Sequence, residues 1–494
     1  MKPLSESVRR LPVTIVPDQH RVLLRPFLPS LIVKPLAHPE PNQRVLQVFA
    51  RVMTLGEAEV QSLLAAVMAD FDSRHKYVRE IFLERFEHVR PMLPVDREFT
   101  RERQLLLGAY FTNEYSLESA ALFNPSMVPH PDQTGVPAGS LRFVMSLRAT
   151  GEGHISSITF RSGTLDAGCE VTMDAASRFV HMPKPDLDSV YERPLFGRKL
   201  YELGISTPII EDVLGDLPEN FTFERLVARV RKLRVSSMDE TTLRAADRAL
   251  TLAQSNYRTA FSASTDISER ILFPFAPSES NGIEDARFVL FQDDERGPVY
   301  YATYTAYDGK MVLPQLVETR DFLSFEACTL NGPAVSNKGF ALFPRKIRGL
   351  YAMLGRQDSE NIHVMFSEHL HFWHESRVIV RPAQPWEFVQ LGNCGSPIET
   401  ERGWLVLTHG VGPMRRYAIG AVLLDLEQPE KILARLREPL LAPAADEREG
   451  YVPNVVYSCG GLLHAGHLVL PYAVSDYSSR IATVPLEDLL DAMR

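Results

Sequence analysis

The chain has 494 residues, 45% of them hydrophobic and 23% charged, with a formal net charge of -9. Those values belong to an ordinary globular protein with enough apolar residues for more than one core. The acidic balance, with no basic stripe, argues against a nucleic-acid partner. Four cysteines (Cys169, Cys328, Cys394 and Cys459) are dispersed and none forms a C-x-x-C pair, so neither a disulfide framework nor a zinc site is expected. Dispersed cysteines fit a reducing compartment, and a cytoplasmic protein is expected. Met1 to Pro17 lacks an apolar signal core, and no apolar run approaches the ~18 residues of a membrane span, so no membrane partner is expected either.

In chain order, Val13 to Val33 alternates weakly and reads as one or two strands. Gly56 to Asp70 carries Val60, Leu63, Leu64, Val67 and Met68 at helical spacing. A second amphipathic helix follows from about His75 to Val89, with Val78, Ile81, Phe82 and Phe86 on one face, and a third from Thr100 to Leu107. From about Ser119 the texture becomes short β-like runs broken by Gly, Asp, Asn and Pro. Ala121–Val128 goes with Arg142–Leu147 and His154–Phe160; Ala286–Phe291 with Val299–Ala306; Gly339–Phe343 with Gly349–Leu354 and Ile362–Phe366. Gly395–Ile398 goes with Gly403–Thr408 and Ala418–Leu424; Pro453–Ser458 with His467–Tyr472 and Arg480–Val484. The later groups start roughly 50 to 60 residues apart, which suggests the blades of a five-bladed β-propeller, with a β-sandwich carrying long loops as the alternative. Between about Asp186 and Ser262 the sequence turns helical (Phe223–Leu233 and Glu240–Phe261), an insertion after the first blade. Pro485–Arg494 reads as a short terminal helix. The expected organisation is an α/β extension over residues 1–110 and a mainly β catalytic domain over 111–494, interrupted at 186–262.

Three places could carry chemistry. In Ser280-Asn-Gly-Ile-Glu-Asp-Ala-Arg287, the adjacent carboxylates Glu284 and Asp285 lie between a turn and an apolar strand. Alternation along a strand sends them to opposite sides, so one can enter a central channel while Arg287 holds the other. A carboxyl group on a partly dry channel floor has a raised pKa and serves as a general acid. The alternative is a solvated turn with a surface ion pair. Lys338 and Arg356 flank apolar strands at their ends, where cations suit an anion such as phosphate, whereas Arg345, Lys346 and Arg348 fit the solubility role of charged strand edges. His409 ends the apolar run Trp404-Leu-Val-Leu-Thr-His409, and a lone histidine at a strand end is more often a satisfied structural residue than a ligand. His363, His369, His371 and His374 have no metal-ligand spacing, and no metal is implied.

The series Gly282-Ile-Glu-Asp-Ala-Arg287, Tyr304-Thr-Ala-Tyr307, Leu342-Phe-Pro-Arg-Lys-Ile347, Pro397-Ile-Glu-Thr-Glu-Arg-Gly-Trp404, Thr408-His-Gly410, Ala421-Val-Leu-Leu-Asp-Leu426, Val452-Pro-Asn-Val-Val456 and Tyr472-Ala-Val-Ser-Asp476 resembles glycoside hydrolase family 130, the mannoside phosphorylases and β-1,2-mannosidases. The motifs stand in family order over roughly Ser119 to Arg494. The resemblance implies a five-bladed propeller and inverting cleavage of β-mannosides, with Asp285 as the acid, acting in the phosphorylases through a hydroxyl of the mannosyl unit. Ala286 replaces the proline of the family's E-D-P-R motif. The resemblance further implies that Asn124, Arg148, Arg287 and Asp476 bind sugar and that Lys338, Arg356 and His409 bind phosphate. It implies no cofactor, only inorganic phosphate as co-substrate in a phosphorylase. The partner is a manno-oligosaccharide or mannosylated acceptor, and homo-oligomerisation is left open.

An inverting hydrolase needs a second carboxylate to activate water, ~6.5–9.5 Å from the acid. Glu399 and Glu360 are the candidates. A phosphorylase needs cations instead, because phosphate is the nucleophile, and Lys338, Arg356 and His409 favour that reading. A catalytically silent sugar-binding propeller is a further alternative.

Overall fold

The computed structural model describes residues 4–29, 43–93, 98–183, 185–187, 189–236 and 239–493. The end of the expected Val13–Val33 strand region lies outside them. The chain divides into two compact units: residues 1–17, 120–176 and 182–494 form one, and 18–119 with 177–181 the other.

The second unit carries the amphipathic helices read from the sequence, Glu57–Phe71, Val78–Val89 and Arg101–Tyr110, and one that the reading missed, Gln43–Met53. Their apolar faces meet in cores such as Phe49, Val52, Val60, Phe86, Leu106 and Leu107. A two-stranded sheet, Val22–Pro26 with Thr112–Ser116, completes it, so this unit runs past residue 110. Among the described residues no single helix is long and apolar enough to cross a membrane.

The larger unit is mainly β. Its strands form antiparallel sets in chain order. The first is Ala121–Pro129, Leu141–Thr150 and Ser156–Leu165; the second runs through Gly282–Asp293, Gly297–Tyr307, Val312–Thr319 and Ser324–Thr329. A parallel pairing of Ser156 with Gly282 joins these two. The third set is Lys338–Leu342, Tyr351–Arg356, Ile362–Ser367 and Arg377–Val380. The fourth contains Gln390–Asn393, Gly403–Val411, Tyr417–Leu424 and Ile432–Arg435, with Ile398–Thr400 beside it. The fifth contains Val456–Tyr457, His467–Val474 and Ser478–Pro485, and its outermost strand is Arg9–Ile15. The first strand of the chain therefore belongs to the last set rather than to an N-terminal extension. Apolar cores lie between successive sets, for example Phe343, Leu354, Val364, Trp404, Val406 and Val422.

The insertion is helical, as expected, with its own core built on Phe196, Leu200, Val213, Leu226, Val230 and Ala246. Helices Arg193–Glu202 and Thr207–Leu214 were not read from the sequence. The expected long helix ends at Gln254, and Tyr257–Ala260 is a strand paired with Ser324–Thr329. Tyr257 and Thr259 are buried while Arg258 and Ala260 are exposed, a period of two that the helical reading overlooked. Asn256 fixes the switch by accepting from the Thr329 amide at 2.8 Å.

Three short turns repeat one device. Phe275-Ala-Pro-Ser-Glu279, Ala383-Gln-Pro-Trp-Glu387 and Pro443-Ala-Ala-Asp-Glu447 each precede the opening strand of a set. In each, a glutamate that is 0–2% exposed folds back onto backbone amides: Glu279 accepts from Phe275 at 2.9 Å, Glu387 from Ala383 at 3.0 Å and Glu447 from Ala444 at 3.0 Å. Their other oxygens are satisfied by Tyr304, Arg435 and Tyr472 respectively. Removing one partner of such a buried pair strands the other. Glu387→Ala should lower the unfolding free energy by about 3 kcal/mol, read as a lower denaturation midpoint. The exposed Glu438→Ala should leave the midpoint within about 0.5 kcal/mol of the parent.

Candidate active site

A cavity of about 250 Å3 is lined from every set: Phe123, Asn124 and Arg148 from the first; Asp285 from the second; Lys338 and Arg356 from the third; Gln390, His409, Arg415 and Tyr417 from the fourth; and Val452, Val455, Tyr457 and Asp476 from the fifth or the loop leading into it.

Two bulges build its floor. The pairing register shifts between Phe123 and Ser126 and again between Glu284 and Arg287. Asn124 and Asp285 occupy these irregularities in the left-handed region, at φ 49° and 54°. Asn and Asp tolerate that region better than most residues, and a bulge re-aims the side chain it carries. Here it brings the two together, with Asn124 Nδ2 donating to Asp285 Oδ1 at 2.6 Å.

The bulge also corrects the expectation that Glu284 and Asp285 point apart. Strict alternation fails where the strand is irregular, and both carboxylates reach one guanidinium. Arg148 donates to Glu284 Oε1 at 2.8 Å and to Asp285 Oδ1 at 3.4 Å, while its Nε donates to Ser156 Oγ at 2.9 Å. Lys338 Nζ lies 3.7 Å from the other oxygen of Glu284. Arg287, expected to contact sugar, does not line the cavity. It is 4% exposed and spent on protein acceptors: Cys394 O at 3.0 Å, Tyr457 Oη at 2.7 Å and the backbone oxygen of Asp285 at 3.4 Å. It positions Asp285 from behind.

The charge state of Asp285 also differs from expectation. Burial pushes its carboxyl pKa up, but the charges of Arg148, Arg287 and Lys338 and the bond from Asn124 outweigh that and hold it well below the usual carboxylate range. Asp285 is therefore ionised at rest. The carboxyl that retains a proton to higher pH is Asp476, pushed up to about 6 by burial and by the charge of Asp285, against Arg148 and Arg415. Asp476 sits in a turn with Ser475, both at positive φ, 50° and 48°.

On the opposite wall, Arg356 Nη1 lies 3.0 Å from His409 Nε2. A guanidinium has no acceptor, so this nitrogen of His409 accepts and the imidazole is neutral. Burial, followed by the charges of Arg356 and Arg287, keeps the His409 pKa well below its ordinary value. In this state His409 is a neutral support that aims Arg356, rather than a cationic ligand. Tyr417 stacks near its ring at 6.3 Å and 15°. Gly392 makes the packing feasible, since a Cβ there would lie 2.5 Å from the His409 ring and 3.0 Å from Arg356 Cδ.

Neither alternative base lines the cavity. Glu399 pairs with Arg345 at 2.7 Å and is 42% exposed. It lies opposite Trp404, five residues before His409 on the same strand, or about 17 Å away. Glu360 is on the turn after Arg356, where its backbone oxygen accepts from Leu391 and its side chain is exposed. Sequence reasoning missed Phe123, Gln390, Arg415, Tyr417, Val452, Val455 and Tyr457. Arg415 and Tyr417 carried a signal, because they lie at the hairpin turn that closes the strand ending near His409. Among the described residues no group of three or more His, Cys, Asp or Glu side chains could hold a metal ion.

The sequence profile of a family described as beta-1,4-mannooligosaccharide phosphorylase matches residues 252–494. The chain is 34% identical over 218 residues to a 1,2-beta-oligomannan phosphorylase of Thermoanaerobacter sp. strain X514, covering 43% of this chain and 71% of that protein. It is 33% identical over 232 residues to a beta-1,2-mannobiose phosphorylase of Listeria innocua, covering 44% of this chain and 62% of that one. The solved structure of beta-1,2-mannobiose phosphorylase from Listeria innocua with beta-1,2-mannobiose overlaps 76% of this chain and 92% of its own, at a TM-score of 0.46 and 24% identity. The chain belongs to glycoside hydrolase family 130, on the strength of the Thermoanaerobacter relative.

The two carboxyls of the cavity should titrate as a linked pair. In a 13C NMR titration Asp476 should show a midpoint near 6, and Asp285→Asn should lower it, because the lost charge is one of its causes. A carboxyl raised above its ordinary value of 3.8 favours the folded state when protonated. Its contribution to stability is full below about 3.8 and is lost as the pH rises through about 6.

Proposed function

We propose that this protein cleaves, and in reverse forms, β-mannosidic bonds of manno-oligosaccharides by inverting phosphorolysis, with α-mannose 1-phosphate as product. One observation carries the reading. Asp285 shares its cavity with the cations Arg148, Lys338, Arg356 and Arg415, and neither Glu399 nor Glu360 lines it. Such a site favours an anionic nucleophile over water activated by a glutamate base. The names of the relatives support the same chemistry. The antiparallel sets support a five-bladed propeller, with Arg9–Ile15 closing the last blade onto the strand Ser478–Pro485. The extension and insertion around the catalytic domain, and a cytoplasmic site of action consistent with four free cysteines, belong to the same proposal.

In this mechanism a phosphate oxygen attacks the anomeric carbon from the face opposite the leaving group. The glycosidic C–O bond breaks, and the leaving oxygen takes a proton that originates on Asp285. The resting enzyme holds Asp285 ionised because the charges of Arg148, Arg287 and Lys338 outweigh its burial. A phosphate dianion bound near Lys338 and Arg356 offsets them, which raises the Asp285 pKa and lets it take up the proton it will donate. Phosphate binding is then coupled to proton uptake.

The first test is incubation with β-1,2- and β-1,4-linked mannobiose, with and without inorganic phosphate. Mannose 1-phosphate that forms only with phosphate is the expected result; free mannose released regardless of phosphate overturns the reading in favour of hydrolysis. Asp285→Asn should retain the fold and lose about 10²–10⁴-fold in kcat. Arg356→Ala should raise the KM for phosphate about tenfold or more. Calorimetric titration with phosphate in buffers of different ionisation enthalpy should show net proton uptake, and no uptake would remove the proposed coupling.

A further inference from the structure

Beside the cavity lies an exposed aromatic pair that the phosphorolysis itself does not use. Tyr451 is 59% exposed and immediately precedes Val452, which lines the cavity. Its ring lies 5.8 Å from that of His154, tilted by 37°, and its hydroxyl is 3.5 Å from His154 Nδ1. His154 is exposed, at φ 59°. It sits on the turn between Leu141–Thr150 and Ser156–Leu165, whose flanks supply Arg148 and its partner Ser156. The two rings thus come from the first and fifth sets, on the side of Asn124, Arg148 and Asp476, away from the Lys338–Arg356 wall.

The chemistry of this corner selects its ligand. Exposed carboxylates Glu152 and Glu449 lie within two residues of His154 and Tyr451 in sequence, and they disfavour a second phosphate. An exposed tyrosine beside an imidazole presents a flat apolar face with polar edges. That surface suits a neutral pyranose ring, whose C–H face stacks while its hydroxyls meet the edges. The inner cavity, at about 250 Å3, is at the small end for a ligand pocket, so the rest of an oligosaccharide must extend to its mouth.

We infer that Tyr451, supported by His154, is a stacking platform for the sugar beyond the cleaved bond, and that it makes the enzyme select manno-oligosaccharide acceptors over monosaccharides. The inference rests on the phosphorolysis reading. The test measures synthesis from mannose 1-phosphate with acceptors of one to four mannosyl units, for wild type, Tyr451→Ala and Tyr451→Phe. Wild-type kcat/KM should rise with acceptor length. Tyr451→Ala should lose that rise, falling about tenfold through acceptor KM. Its kcat and its KM for mannose 1-phosphate should be unchanged, and Tyr451→Phe should retain the preference. A Tyr451→Ala profile equal to wild type overturns the platform, as does an equal rise in KM for the donor. Calorimetric binding of mannotriose, without turnover, separates the two readings. Equal affinities for wild type and Tyr451→Ala overturn the platform. Binding that depends on Tyr451, in an enzyme that yields no mannose 1-phosphate, overturns phosphorolysis and leaves the platform standing.

Discussion

A buried carboxylate surrounded by guanidinium groups is the constraint around which the larger unit is arranged. Asp285 is held from three directions: Asn124 and Arg148 in the cavity, and Arg287 from beneath through its backbone oxygen. An isolated carboxylate at this depth would protonate rather than remain charged. The arginines keep it ionised, and Asp476, in the same cavity, holds its proton to higher pH because burial and the charge of Asp285 outweigh Arg148 and Arg415. The site thus contains two carboxyls with separated affinities, the usual arrangement where one group must gain a proton and the other must not.

The same logic orders the opposite wall. Arg356 is aimed by a histidine that stays neutral because it is buried beside two guanidiniums. Gly392 leaves the space for that ring. A change from glycine at 392 would therefore disturb Arg356 without replacing any charged residue.

Much of the site was legible: Asp285, His409 and Asp476 sit in motifs whose order survives, and with Asn124, Arg148, Lys338 and Arg356 they line one cavity. The roles were less legible than the positions. Period-two alternation sent Glu284 and Asp285 apart, and only the bulge, invisible to a pattern rule, brings both to Arg148. Arg287 next to an acidic pair looks like a ligand-binding residue, yet its acceptors, Cys394 and Tyr457, are distant in sequence. In the fold, strands with strong alternation were found, whereas Tyr257–Ala260 was absorbed into the preceding helix because four residues are too few to establish a period. The repeat also has a textual trace, the glutamates 279, 387 and 447 that brace the turn before an opening strand, but one glutamate in each of three sets is too sparse to stand out without the geometry.

The strand Arg9–Ile15 pairs with Ser478–Pro485, and Arg10 reaches Glu447 at 3.2 Å. During synthesis the strand Arg9–Ile15 waits for a partner far behind it in the chain, while residues 18–119 can collapse into their own unit in the meantime. So long a sequence separation carries a closure cost before any pairing rewards it, and it leaves an unpaired edge on the nascent chain. Joining the two strands in a circular permutant would make that contact local and remove that closure cost without altering a residue of the cavity.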